Sequence, residues 1–382
     1  MNLKKIISIL LLGFALQGCL QKEESNLSRQ LRDAEDFYLQ IQPKRALEIL
    51  NQIDSSQDLP DRYFRLRYQA ELRDFQFIQA LKTVLSWGQR GSGRKDKDLV
   101  VVLKAFLRHC TELKKPSIKL EAIGALGELR DTESSDLLMG LFPGGSQMTR
   151  IAVCYAMNLL GDRERALPYL VDRSRFAGLK SRFLASLFLT KLQDDRLIYA
   201  YMNMLSDPDD AIRVLAIKTL GLLKAREAVD KLEIIFKDSA SSQVKMIAAQ
   251  ALFRLGRSSY QSYLLQNVES KSNGLNAKIL LTELGDKQFL EELKASLVSL
   301  EVEAQHSVLT ILVKNGDTAF VREKLRSSLE SLLGDAFEKK MALELLLIIK
   351  DPSDWDTVQS HFFSPFQEVQ VMAAKVMLGL LS

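Results

Sequence analysis

From residue 118 to the last residue, apolar and polar positions recur in one pattern nine times. A small residue is followed four places on by Leu or Met and seven places on by a further apolar side chain. The small anchors are Ala122, Val153, Ala185, Ala216, Ala248, Ala277, Val308, Ala342 and Ala373, spaced 29 to 34 residues apart. Positions 0, +4 and +7 share one face of an α-helix. Each copy therefore predicts a helix with a small residue where a neighbour packs closely and a Leu/Met row beside it. Asn315 is the one polar intrusion in the +7 row. Gly161-Asp162, Gly285-Asp286 and Gly316-Asp317 then pair a helix-ending glycine with an aspartate suited to cap the next helix, and Asp131, Asp194 and Asp351 keep the aspartate alone. A shorter apolar stretch follows, as in RALPYLV, AVDKLEIIF or QFLEELKASL. One copy is a helix–turn–helix unit, and the chain reads as all-α. Copies six to eight diverge most, and the ninth stops after its first helix.

The stretch SDPDDAIRVLAIKTLGLLKAREAVDKLEII, 206–235, resembles the short HEAT-like repeat family, and the resemblance extends over about 118–382. It implies a right-handed α-solenoid of stacked repeats. First helices are expected on the convex side and second helices on the concave side, with a protein or peptide partner bound along the concave face. A base stands three residues before the anchor in six copies: Lys119, Arg150, Arg182, Arg213, Lys245 and Lys339. The family consensus carries the same bases, bridging to aspartates of adjacent turns, so this row reads as structural rather than as a phosphate ladder.

Residues 27–88 follow a different period. AEDFYLQIQPKRALEILNQI aligns with RYQAELRDFQFIQALKTVLSW at an offset of 34, pairing Ala46-Leu47 with Ala80-Leu81, Leu50 with Val84 and Ile53 with Trp87. This resembles tetratricopeptide (TPR) repeats, without that family's first-helix Gly and closing Pro. GQRGSGRKDKD marks a linker over 89–97. Its Arg90, Arg94, Lys95 and Lys97 read as a solvated loop, because Asp96 and Asp98 dilute the charge. A connecting helix over 98–117, capped by Asp98, leads into the solenoid.

The first residues have a separate pattern. Lys4 and Lys5 precede an apolar run from Ile6 to Leu16. That run is too short for a hydrocarbon core that needs about 20 helical residues, and it is laid out as a signal peptide over 1–18. Leu16-Gln17-Gly18-Cys19 resembles the bacterial lipobox, with Gln17 in place of the preferred small residue. The resemblance implies cleavage before Cys19 and a diacylglyceryl group on its thiol, with 19–26 as the tether. Leu20 rather than Asp follows the cysteine, which under the enterobacterial sorting rule favours the outer over the inner membrane.

Composition narrows the functions. Apolar residues make up 47% of the chain, as in folded proteins. The net charge of +4, half of it from Lys4 and Lys5, makes no electrostatic case for nucleic acid. Besides Cys19 there are Cys110 and Cys154, both in apolar helical patterns. They read as buried small hydrophobes, with a disulfide as the alternative in an oxidising envelope. The three histidines, His109, His306 and His361, lack ligand spacing. No metal, cofactor, small-molecule or catalytic signature emerges. Five of the nine tyrosines fall in second helices: Tyr169, Tyr199, Tyr201, Tyr260 and Tyr263. Tyrosine suits interfaces through its large area and single polar tip, so these are the candidate partner-binding residues. Tyr199 and Tyr201 point to different faces, which makes one of them core. The sequence thus predicts a non-enzymatic, membrane-tethered scaffold or adaptor of the bacterial cell envelope. The alternatives are a HEAT-like repeat enzyme of the bilin-lyase type, which the family resemblance admits, and an assembly factor for an envelope complex.

Overall fold

Pro43, with no amide hydrogen to leave unsatisfied, opens one early helix, and the Ser25 hydroxyl accepts from the Ser28 amide to cap another at 3.1 Å. A computed structural model of the chain describes residues 25–56, 58–90, 93–330 and 335–382. They form two compact units, the first ending at Ala105 and the second beginning at Phe106. All regular structure among the described residues is helical, and no helix there is long and apolar enough to cross a membrane.

The first unit holds α1 (Asn26–Leu39), α2 (Pro43–Asn51), α3 (Asp61–Arg73) and α4 (Phe77–Arg90), each packed on the next or the previous. The residues paired by the 34-residue offset meet the same fate: Ala46, Ala80, Leu50 and Val84 are fully enclosed, and Ile53 and Trp87 nearly so. Trp87 stacks on Phe64 and donates its Nε1–H to Asp61 at 2.6 Å. Glu71 is buried and held by Thr83 at 2.8 Å and Arg67 at 3.1 Å; burial still pushes its carboxyl up. The next helix, α5 (Asp96–Cys110), starts two residues before the predicted cap. Asp98 therefore lies inside the first turn, where it accepts from the Tyr68 hydroxyl at 2.7 Å.

The second unit alternates first and second helices. In chain order these are α6 (Pro116–Glu128) and α7 (Ser135–Gly144), α8 (Gln147–Leu160) and α9 (Arg163–Phe176), α10 (Leu179–Leu192) and α11 (Ile198–Met204). Then come α12 (Asp210–Leu222) and α13 (Val229–Asp238), α14 (Ser242–Arg254) and α15 (Gln261–Gln266), α16 (Gly274–Glu283) and α17 (Leu290–Ser296). The last are α18 (Val302–Lys314) and α19 (Thr318–Glu330), α20 (Ala336–Ile349) and α21 (Trp355–Phe362), and α22 (Gln367–Leu381). Every anchor and every Leu or Met four places after it is buried. The repeat ends follow the sequence logic. Gly161, Gly285 and Gly316 adopt left-handed φ of 110°, 99° and 94°. Asp194, Asp286 and Asp351 cap short 3-10 turns that open the second helices.

The first helices pack against one another in unbroken succession, and the last of them, α22, packs against α6. The solenoid of the second unit therefore closes into a ring. This corrects the expectation of first helices on the convex side. Glu128 of α6 pairs with Lys191 of α10, two repeats on, at 3.4 Å. Glu121 of α6 pairs with Lys340 of α20, two repeats back around the ring, at 2.8 Å. Only helices on the inner side of a curve bring such positions together, so the first helices form the inner wall and the second helices the outer wall. The concave face is the ring's lumen rather than an open groove.

Two devices set the ring. Gly127 faces Ala156, where an added Cβ would lie 2.5 Å from the Ala156 Cα, and Gly221 faces Ala251 in the same way at 2.9 Å. These glycines let α6 meet α8 and α12 meet α14 at backbone contact. The seam where the last two repeats meet the first instead uses charge: Lys375 with Glu128, Lys340 with Glu121, and Lys115 with Glu368. Phe106 meets Phe362 edge-on at 4.9 Å on the outer side of the seam. Burial pushes the Glu128 carboxyl up, but Lys375, Lys191 and a bond from Tyr155 outweigh it and hold the group below the usual range. Burial keeps Glu121 above that range despite Lys340.

Gly127→Ala and Gly221→Ala should each cost about 1–3 kcal/mol by overpacking, read from urea midpoints. Gly124→Ala, whose Cβ meets nothing within 4 Å, should be neutral or stabilising by up to about 1 kcal/mol; equal losses at all three sites would refute the close-approach geometry. A depressed carboxyl stabilises above its unfolded pKa, and the contribution disappears as pH falls through the folded value. The Glu128 contribution should therefore be complete at neutral pH and vanish below the ordinary carboxylate range, and Glu128→Gln should flatten that part of the pH–stability profile.

Candidate functional site

Besides the lumen, the surfaces open to a macromolecule in the second unit include the outward faces of the second helices. The five candidate tyrosines, on or beside these helices, are in three different situations. Tyr201 is fully buried and donates its hydroxyl to the Leu189 carbonyl at 2.9 Å, which tightens α11 against α10. It is a core residue, so its assignment as a partner-binding side chain is corrected; two places away, Tyr199 is 84% exposed. Tyr169, Tyr260 and Tyr263 are half-buried. Tyr169 meets Phe142 edge-on at 5.4 Å, and both Tyr260 and Tyr263 meet Phe236 edge-on at 4.9 Å. In each case a phenylalanine near the end of one second helix receives tyrosine from the next repeat, so these rings bridge neighbouring repeats and expose only part of their surface.

Beside them lies a surface that the sequence reading did not single out. Phe176 is 69% exposed and Leu179 51% exposed at the α9–α10 turn, with Phe183 partly exposed one turn on. Phe176 edges a cavity of about 560 Å³, whose apolar lining includes Leu167, Pro168, Val171 and Leu197. Arg163, Arg175, Glu164 and Asp172 stand around it, so charges of both signs rim an apolar floor. The signal was present as FAGL, 176–179, an apolar run at a turn where polar residues are expected.

The row of bases before the anchors is structural where its contacts are defined. Arg150 donates to the Phe142 and Pro143 carbonyls at 3.1 and 2.9 Å. Arg182 donates to Asp207 at 2.7 Å and to the Ala177 carbonyl at 3.1 Å. Arg213 donates to the Asp207 carbonyl at 2.6 Å and pairs with Asp210. Each ties the end of a second helix to the following first helix.

Cys110 and Cys154 are buried, separate thiols. Burial pushes each up to about 12, with the Asp162 charge adding to the effect at Cys154. No group of His, Cys, Asp and Glu among the described residues is arranged to hold a metal ion. Cys19 and the preceding Leu16, Gln17 and Gly18 lie outside the described residues.

A model of HEAT repeats matches residues 180–253, and the fold is an all-α solenoid of HEAT-like repeats. No curated protein matches the chain. Among solved structures, the chain is similar to the complex of CpcE and CpcF of phycocyanin lyase from Nostoc sp. PCC7120. That match has 20% identity and a TM-score of 0.37, over 59% of this chain and 90% of that one. It is also similar to human deoxyhypusine hydroxylase in complex with glycerol, at 17% identity and a TM-score of 0.37, over 67% of this chain and 99% of that one.

The raised thiols give a direct test. Neither Cys110 nor Cys154 should react with a maleimide at pH 8 in the native protein, and both should react in urea, as read by peptide mass spectrometry. Rapid native labelling of either would contradict its burial.

Proposed function

We propose that this protein is a lipid-tethered helical-repeat scaffold of a bacterial cell envelope that docks a protein partner on its outer wall. The observation that carries the docking site is the exposed apolar cluster of Phe176, Leu179 and Phe183 beside the α9 cavity, with Tyr199 exposed two residues past the cavity-lining Leu197. Large apolar side chains at a charged rim are the anatomy of an interaction patch. The partner expected there presents an apolar or aromatic side chain flanked by charges of both signs.

The tether rests on Lys4, Lys5, the apolar run and Leu16-Gln17-Gly18-Cys19. One acyl chain holds a protein only marginally, whereas two or more make residence at the membrane effectively permanent. Leu20 directs the proposal to the outer membrane. The reading is a binding role, supported by the exposed apolar patch beside the α9 cavity.

In-cell crosslinking followed by capture from membranes tests both parts. Replacing Phe176 and Tyr199 by Ala should reduce partner recovery at least about tenfold, since central aromatic anchors contribute on the order of 2 kcal/mol each, while the thermal midpoint stays unchanged. Undiminished recovery would remove the outer wall from the proposal. Mass spectrometry should find Cys19 as an acylated N-terminus, and Cys19→Ala should release the protein from membranes; an unmodified Cys19 would remove the tether.

A further inference from the structure

The inner wall is not uniform around the ring. Gly127 and Gly221 bring α6 to α8 and α12 to α14, but the equivalent places on α14, α16 and α18 hold Phe253, Thr282 and Val313. These bulkier residues stand where the glycines allow backbone contact. A cavity of about 300 Å³ opens on the same stretch of wall, lined by residues of α12, α14, α16 and α18. That volume is about ten water molecules' share of the liquid and sits at the lower end of the range for small-molecule pockets.

The lining divides by chemistry. Met246, Ile247, Ile279, Leu280 and Ile311 supply an apolar floor. The acid that faces the cavity, Glu283, is already compensated. It accepts from Gln250 at 2.8 Å and pairs with Arg254 at 3.6 Å and Lys314 at 3.9 Å. Lys218 contributes a cation with no ion pair among the described residues, and it is exposed, so it stands where the cavity meets solvent. Gln243 and Asn276 contribute side-chain amides. His306 Nε2 is enclosed and has no hydrogen-bond partner among the described residues. Burial holds the imidazole below its ordinary range against the pull of Glu344, so the ring is neutral at pH 7. A buried nitrogen without a partner is costly, and the cost is relieved when a ligand or water reaches it.

We propose that this cavity binds a small organic carboxylate. Its carboxylate is received by Lys218 and the amides of Gln243 and Asn276, and its aliphatic body lies on the isoleucine floor beside His306, whose Nε2 is open to a second polar group of the ligand or to a water trapped with it. Lys218 gives the charge preference, because the other cations at this part of the wall are committed to Glu283. The floor gives the preference for a carbon skeleton over a bare inorganic anion. The site is separate from the outer-wall patch and stands or falls without it.

The chain has three histidines, so its imidazole Cε1–H spectrum is simple enough to report on one of them. Full-length protein in detergent is titrated with hexanoate, succinate and inorganic phosphate, the His306 signal being assigned with His306→Gln. The proposal expects a saturable shift of the His306 signal with hexanoate, with Kd of about 1 mM or tighter, while His109 and His361 stay still. Lys218→Met, at an exposed position, should leave the thermal midpoint unchanged and weaken hexanoate at least about tenfold, the loss of one charge-assisted contact. No saturable shift, an equal response of all three histidines, unchanged affinity in Lys218→Met, or saturation by phosphate in preference to both carboxylates would overturn it.

Discussion

One carboxylate, Glu128, ties together four of the nine repeats. Lys375 of the ninth repeat and Lys191 of the third pair with it, and Tyr155 of the second donates its hydroxyl at 3.0 Å. A half-buried charge loses part of its hydration and relies on its partners to compensate, so the position of Glu128 depends on how nearly the ring closes. The same chemistry recurs around the lumen with Glu121 and Lys340, and with Glu283 among Arg254, Lys314 and Gln250. Apolar burial drives each repeat onto its neighbour, at about 1.5–3 kcal/mol for each enclosed Leu or Met. The polar lumen then fixes the curvature at which these contacts add up. Half-buried ion pairs give little net stability, but they penalise arrangements in which a partner is missing.

Most of the secondary structure was legible because it depends on short spacings. The anchor, the Leu/Met row, the glycine stops and the caps of Asp194, Asp286 and Asp351 are local rules that reappear in the helices, whereas Asp131 and Asp162 stand at N-cap positions without a side-chain bond to the helix. The 34-residue pairing in the first unit was legible for the same reason. Closure was not legible. The Lys375–Glu128 contact spans 247 residues, and whether a solenoid meets itself depends on small inter-repeat rotations accumulated over the whole ring. The inner and outer assignment was reversed because both helices of a repeat carry an apolar stripe, and the stripe does not state which side curves inward. The separation of Tyr199 from Tyr201 was anticipated from their spacing, but which of them was core required the Leu189 carbonyl.

Divergence among the repeats carried information that a search for similarity passes over. Copies six and seven depart from the pattern at Asn276, His306 and Ser307 on the inner wall, where the equivalent places in other copies carry apolar or ionic residues. In an array of near-identical units, departures from the common pattern mark positions answering to something other than packing. FAGL at the α9–α10 turn is the outer counterpart, an apolar run where the local rules call for polar residues.

An open solenoid gains or loses a repeat at modest cost, since each unit touches only its neighbours and a shorter or longer stack remains a stack. Here the ninth inner helix must land on the first with Lys375 opposite Glu128 and Lys115 opposite Glu368. Duplicating or deleting one unit would misalign all of these at once. The seam thus makes repeat number a discrete, hard-to-change property of the chain.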